Sequence, residues 1–388
     1  MKIVFLARSL GLGGAERQLV ELAAGLHRRG HDVSVAVFYS GHPLDAELER
    51  AGVPLHDLEK RGRWDVAGFA VRLLRLLRTE RPDVLHSYLS VPNMLAAISA
   101  PLLRSTAIVW GVRASNLNVE HYEWLTRLTE RGGVLLARLA DRILVNSQAG
   151  FEHHVRTGYP ESRMRVVHNG IDTARFVRDA RRGSTLRVNW GVPDNSILIG
   201  LVGRLDPMKG HRIFLEAASR LAAIRPDVRF VCVGSGSPAF AAELRRRADE
   251  FEFADRVIWQ EALPDPVPVY SALDGLCSAS IFGEGFSNVI AEAMACGVPC
   301  VVTDVGDSAL IVQSPRYVAR GGDVSSLHEA MIALLGDIDR GLVDRMALRD
   351  RIVKDFSVDR LVTRTETVLA EALAERARRQ RAPSRRAR

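Results

Sequence analysis

At 388 residues the chain is long enough for two cores rather than one. A hydrophobic share of 47% and a charged share of 26% belong to a folded globular protein and exclude a disordered or fibrous one. The net charge of +7 is matched by the seven arginines of residues 376–388, a stretch without an acid, so the other residues sum to zero. This excludes a basic nucleic-acid-binding face and leaves a basic tail.

In chain order, Met1-Lys2 runs straight into the strand-like IVFLA, so no signal peptide is expected. No apolar run reaches the ~18 residues that a membrane-spanning helix needs. A Gly-rich turn with Gly11, Gly13 and Gly14 follows, then a helix over AERQLVELAAGLHRRG that stops at Gly30. DVSVAVF, DVLHSY, AIVWGV and RILVNS read as further strands. Arg72, Arg75 and Arg78 form one stripe of an apolar helix. Trp124, Leu125, Leu128, Leu135 and Leu136 form a second apolar helical zone and read as core.

Near Val166–Phe176 the pattern changes. VVHNGIDTARF holds an Asn-Gly turn, and the basic stretch RDARRGS reads as a linker. A second series begins at SILIGLVGR and continues through VRFVCVG, RVIWQ, GLCSAS and PCVVTD. Its first loop repeats the first loop of the chain: Ala7–Gly14 aligns with Gly203–Gly210, an apolar strand running into Arg, a loop, Gly and a helix. Strand-helix alternation of this kind predicts α/β architecture with two doubly wound, Rossmann-like domains in tandem. Ligands in such sheets bind at the carboxyl ends of the strands, so two facing domains would share one cleft.

The chemistry concentrates in EGFSNVIAEAMACGVP. Glu284 and Glu292 bracket the start of a helix, Gly285 keeps the loop open, and Ser287 or Asn288 is placed to cap it. Backbone N–H groups at such an end favour an anion. Carboxylates accept hydrogen bonds from hydroxyls, so the element suits a diphosphate flanked by two polyols, which describes a nucleotide sugar. Arg204 and Lys209 lie in one loop after a strand and can hold phosphate and stabilise a leaving group. Gly13 and Gly14 open the first helix, with Glu16 in its first turn, but the spacing lacks the third glycine of a dinucleotide fingerprint. His86 ends a strand and either faces the cleft or is structural. His153 and His154 read as surface residues, and His168 as structural. Asp337 and Asp339 have D-x-D spacing but no strand before them, so no metal is expected there. Cys232, Cys277, Cys296 and Cys300 all sit in apolar surroundings and read as buried reduced thiols, which fits the cytoplasm.

The chain resembles the family 4 glycosyltransferases of the GT-B fold. The resemblance rests on GLGGAERQLVELAAGL, NSQAGFEHHV, VVHNGID, GRLDPMKG and EGFSNVIAEAMACGVPCVVTDVGD, in the family's order. It implies an N-terminal acceptor domain over residues 1–178 and a donor domain over 179–356, facing a central cleft. A helix over 357–376 would return to the first domain, and 377–388 would be a disordered basic tail. It implies retaining transfer from a nucleotide-sugar donor to an acceptor hydroxyl, without cofactor or metal, in polysaccharide or glycolipid synthesis. Glu284 would meet the donor sugar, with the backbone of Gly285, Phe286, Ser287 and Asn288. Glu292 would hold the ribose, Arg204 and Lys209 the phosphates, and the Gly13-Gly14 loop would face them. Two positions depart from the family: Ser287 replaces a frequent proline, and Arg113 stands near where many members have histidine. Arg113, His86 and Glu16 are the acceptor-side candidates.

The expected partners are a nucleotide sugar and a glycan or lipid-linked acceptor, with no nucleic acid. An anionic membrane surface is the second role open to the tail and the Arg72 stripe, which would place the protein at the inner face of the membrane. Three other readings stand beside the transferase: a nucleotide-sugar epimerase of the same fold, a non-catalytic nucleotide-sugar binder, and a dinucleotide oxidoreductase, which the missing glycine disfavours.

Overall fold

Short apolar runs rich in Val, Ile and Leu supply the strands, and helices follow most of them. The computed structural model describes residues 1–62, 64–113 and 132–381. The apolar zone at Trp124–Leu128 and the last residues of the basic tail, 382–388, lie outside them.

The first sheet takes β1 (Lys2–Ala7), β2 (Asp32–Val37), β3 (Leu55–Asp57), β4 (Val84–Tyr88), β5 (Ala107–Val112), β6 (Arg142–Val145) and β7 (Met164–Val166). The second takes β8 (Ile197–Val202), β9 (Val228–Val233), β10 (Val257–Gln260), β11 (Gly275–Ser278), β12 (Cys300–Thr303) and β13 (Val318–Ala319). Strand orders are β3-β2-β1-β4-β5-β6-β7 and β10-β9-β8-β11-β12-β13. Every pairing within them is parallel. Both sheets are doubly wound outward from their first strand, the predicted architecture. The edge strands β3, β7 and β13 escaped the sequence reading because they are three, three and two residues long.

Alternation along each strand divides each core in two. In β1, Ile3 and Phe5 face the helix Gly14–Arg28, whereas Val4 and Leu6 face Leu73, Leu77 and Trp110. The second sheet repeats the division, with Leu198, Leu276 and Val302 on one side and Ile199, Phe230 and Cys277 on the other.

The chain forms two compact units, residues 1–170 with 358–388, and residues 171–357. Residues 171–178, expected in the first domain, belong to the second. Ile171 N–H donates to Phe356 O at 2.7 Å, and Phe176 is buried in that unit's core. The basic stretch read as a linker is partly a helix, Ala180–Asn189, started by the Asp179 side chain accepting from Arg182 N–H. The terminal helix runs over Val358–Arg381 and adds Leu361, Val362, Leu369 and Ala372 to the first unit's core. Residues 377–381, expected to be disordered, are its last turn. Among the described residues no helix is long and apolar enough to cross a membrane.

Candidate functional site

In the second unit, β8 ends at Val202 and its loop leads through a 3-10 turn, Pro207–Lys209, into the helix His211–Ile224. Glycines let three backbones crowd together here. A Cβ on Gly234 would stand 1.8 Å from Gly203 O, and one on Gly236 would stand 2.3 Å from Leu205 O. The loops after β8 and β9 are therefore in contact, joined by Leu205 N–H to Ser235 O at 3.0 Å. Gly210 has φ +68, and a Cβ on it would stand 1.8 Å from Ala279 O. That approach sets the helix start against the end of β11.

The same approach brings Lys209 to Glu284. The Lys209 ammonium is ion-paired with Glu284 Oε1, and the Ser280 hydroxyl donates to the same oxygen at 2.8 Å. Glu284 is only 7% exposed, so one of the two predicted carboxylates is a buried, compensated charge. Its loop is held from both sides. Ile281 N–H donates to Met208 O at 2.9 Å, and Asp307 N–H donates to Gly285 O at 2.9 Å. Thr303 hydroxyl donates to Ser280 O at 2.5 Å. Arg204, in the same loop as Lys209, is exposed and has no side-chain partner among the described residues.

The helix Asn288–Ala295 begins at Ser287. Ser287, one of the two residues expected to cap it, stands at the N-cap position and is buried, but its hydroxyl makes no capping bond. Phe286 turns its ring into the core, 5.1 Å from that of Phe356. Glu292 lies one turn into the helix and accepts from the Tyr270 hydroxyl at 2.6 Å. Burial, reinforced by the Glu292 charge, holds the Tyr270 phenol well above its ordinary pKa, so it stays a donor. A cavity of about 290 Å³ opens beside Leu205, Gly234 and Gly236 and is lined further by Arg245, Trp259 and Glu261. A cation, a buried carboxylate, a glycine-lined cavity and a helix start thus share the carboxyl edge of one sheet, the expected place for a ligand.

The first unit carries the remaining predicted residues. Gly13 is the residue before the helix Gly14–Arg28, and the Glu16 carboxylate folds back over it; a Cβ on Gly13 would stand 2.0 Å from Glu16 Oε2. Arg113 follows β5. It donates to Asn169 Oδ1 at 3.2 Å and to the Tyr88 hydroxyl at 2.5 Å, with its guanidinium 4.6 Å from the Tyr88 ring centre. His86 is fully buried, its Nδ1 3.2 Å from Val109 O and its Nε2 without a partner among the described residues. Burial, with the Arg113 charge adding to it, pushes the His86 pKa down to about 3. It is therefore a neutral core histidine.

Other candidates are accounted for structurally. Asp337 accepts from Tyr317 at 2.7 Å and pairs with Arg316 and Arg340, while Asp339 pairs with Arg225 at 2.8 Å. The D-x-D spacing is thus an ion-pair network at the end of the helix Val324–Asp339. The cysteines are free and buried, and burial raises all four thiols. His153 and His154, read as surface, are half-buried; the His154 ring stacks edge-on against Tyr159 at 4.9 Å.

Sequence reasoning missed Ser280, Tyr270 and the Gly234-Ser235-Gly236 loop. Only the last had a local signal, two glycines directly after a strand. Ser280 matters through a hydroxyl that meets Glu284 across a turn of the same loop, and Tyr270 through one that reaches Glu292 from another helix.

Residues 12–175 match the family model "Glycosyltransferase Family 4" and residues 196–337 match "Glycosyl transferases group 1". The D-inositol 3-phosphate glycosyltransferase of Mycolicibacterium smegmatis is 29% identical over 318 residues, 76% of this chain and 71% of that one. The Escherichia coli UDP-Gal:alpha-D-GlcNAc-diphosphoundecaprenol alpha-1,3-galactosyltransferase is 22% identical over 321 residues, 79% of this chain and 80% of that one. The crystal structure of Anabaena HepE in complex with UDP superposes with a TM-score of 0.84 at 23% identity, over 95% of this chain and 100% of that one. Two tandem doubly wound sheets and glycosyltransferase family models matched in both halves of the chain lead to one assignment: the chain is a glycosyltransferase of the family 4 group, with the GT-B fold.

Proposed function

We propose that the protein moves a sugar from a nucleotide-sugar donor to an acceptor hydroxyl, with retention at the anomeric carbon, in the synthesis of a cell-surface polysaccharide or glycolipid. The observation that carries this reading is the Lys209–Glu284–Ser280 cluster, on the same carboxyl edge of one sheet as a glycine-lined cavity and a helix start. Relatives support it. HepE has been crystallised with UDP and with UDP-glucose, and the Escherichia coli relative is named for a UDP-galactose donor and a lipid-diphosphate-linked acceptor.

In this mechanism the bond between C1 and the diphosphate oxygen breaks, with oxocarbenium character at C1. Negative charge gathers on the leaving phosphate, where Arg204, Lys209 and the helix start stabilise it. The acceptor oxygen bonds to C1 from the face that the diphosphate leaves. Its proton passes to the leaving phosphate, giving a glycoside and a nucleoside diphosphate. Glu284 accepts from sugar hydroxyls, and Glu292, oriented by Tyr270, accepts from ribose hydroxyls. Two cations do the work of charge neutralisation, so no metal is required.

A panel of nucleotide sugars, with and without candidate acceptors, tests the proposal by nucleotide release. Acceptor-dependent release, insensitive to EDTA and giving the donor's anomer by NMR, is the expected result. Isomerisation of the sugar without release would instead support an epimerase. Inverted product, or a strict need for a divalent ion, would refute the scheme.

A further inference from the structure

A second charged feature lies in the first unit at the opposite, amino-terminal edge of the sheet. Arg81 precedes β4, Arg104 precedes β5 and Arg138 precedes β6. Two adjoining depressions hold these residues. One is lined by Arg104, Arg138 and Leu139, the other by Arg78, Arg81, Leu102 and Arg104, and Pro101 and Gln380 belong to both. All four of these arginine side chains are exposed, and none has a partner among the described residues. The acids nearby are already engaged. Asp141 is fully buried against Arg379 at 3.1 Å, and Glu375 pairs with Arg379 at 3.2 Å. Aliphatic groups are interleaved with the cations: Leu102 is 58% exposed and Leu139 is 42% exposed. The expected Arg72 stripe is not what makes the face. Arg72 turns back onto Leu58 O at 2.7 Å and pairs with Asp65, and of that stripe Arg78 reaches the depressions.

We propose that this face docks the protein on an anionic lipid bilayer. Unpaired guanidiniums would meet lipid phosphates, while Leu102 and Leu139 would enter the boundary between headgroups and acyl chains. Exposed leucines between the cations favour a bilayer over a nucleic acid, whose surface offers them no apolar counterpart. The chain also leaves this face at Arg381 with three more arginines and no acid in residues 382–388, a further attraction to the same surface. The inference does not depend on which sugar or acceptor the enzyme uses.

The full chain is tested by flotation with vesicles of phosphatidylcholine alone and with about one-third phosphatidylglycerol. Binding to the anionic vesicles only, weakened by raised salt, is expected. Arg104→Ala with Arg138→Ala should weaken it roughly 30-fold, from the typical contribution of a basic residue near a charged bilayer. Leu102→Ser with Leu139→Ser should weaken it further at high salt, where attraction between charges is screened. Circular dichroism and soluble transfer activity should be unchanged in both, since neither pair touches the donor site. Equal binding by the parent and the arginine variant would overturn the proposal. So would binding lost on deleting residues 382–388 alone, or an arginine-dependent preference for duplex DNA over vesicles.

Discussion

Arg204 and Lys209 come from one loop and are assigned to the same phosphates, yet they should fail differently when removed. Arg204 is exposed and has no partner to lose, so Arg204→Ala should leave stability within about 0.5 kcal/mol of the parent, the range of ordinary surface changes. Lys209 compensates a carboxylate whose side chain is 8% exposed, while its own side chain is 19% exposed. Lys209→Met leaves that charge with Ser280 alone. Full burial would cost ~3–5 kcal/mol, and the solvent reaching the lysine reduces this to roughly 2–3. In turnover, each substitution should cost ~10²–10³, as loss of one group stabilising a transition-state charge does. Urea unfolding and nucleotide release, measured on both variants, separate the two effects. Two results would refute the reasoning: Arg204→Ala with near-normal transfer, or Lys209→Met as stable as the parent. The first removes the phosphate role; the second means that the Glu284 carboxylate does not need its cation.

Two further outcomes follow from the geometry. Gly210→Ala should destabilise by roughly 2–4 kcal/mol, because it adds a Cβ at φ +68 and 1.8 Å from a carbonyl oxygen. Gly322→Ala, at φ +76 with nothing within 4 Å, should cost only ~1 kcal/mol and serves as the control in the same urea titration. The His86 pKa lies near 3 when folded and 6.5 when unfolded, so the unfolded chain binds an extra proton between those values. Stability from this group is therefore complete above pH 6.5 and declines as pH falls toward 3. His86→Gln should reduce the slope of stability against pH in that window by up to ~1.4 kcal/mol per unit. An unchanged slope would mean that His86 is accessible to protons in the native state.

Much of the architecture was legible because parallel sheets buried on both faces leave near-continuous apolar runs. The correspondence of Ala7–Gly14 with Gly203–Gly210 marked the first loop of each sheet. Glu284 and Lys209 were each conspicuous, but their pairing was not, since 75 residues separate them and the packing of Gly210 on Ala279, with the Ile281–Met208 hydrogen bond, brings them together. Tyr270 carried no signal in sequence; its value lies in a hydroxyl that reaches Glu292 from another helix. Ser287 stands at the N-cap position as expected but makes no capping bond, because cap preference ranks residue types and does not fix a hydroxyl's direction. The stretch 178–184 was misread as a linker because its basic composition hid the start of a helix that Asp179 fixes.

The helix Val358–Arg381 has a consequence for biosynthesis. The second unit is one continuous stretch, 171–357, and can fold as soon as it leaves the ribosome. The first unit is emerging long before that, but its core lacks Leu361, Val362, Leu369 and Ala372 until the last helix has been made. The apolar side of the helix Gly14–Arg28, including the spot where Gly25 admits Val362, stays uncovered throughout. The part of the enzyme synthesised first is thus the part completed last, and a nascent chain stalled before residue 358 would present that seam to chaperones and proteases.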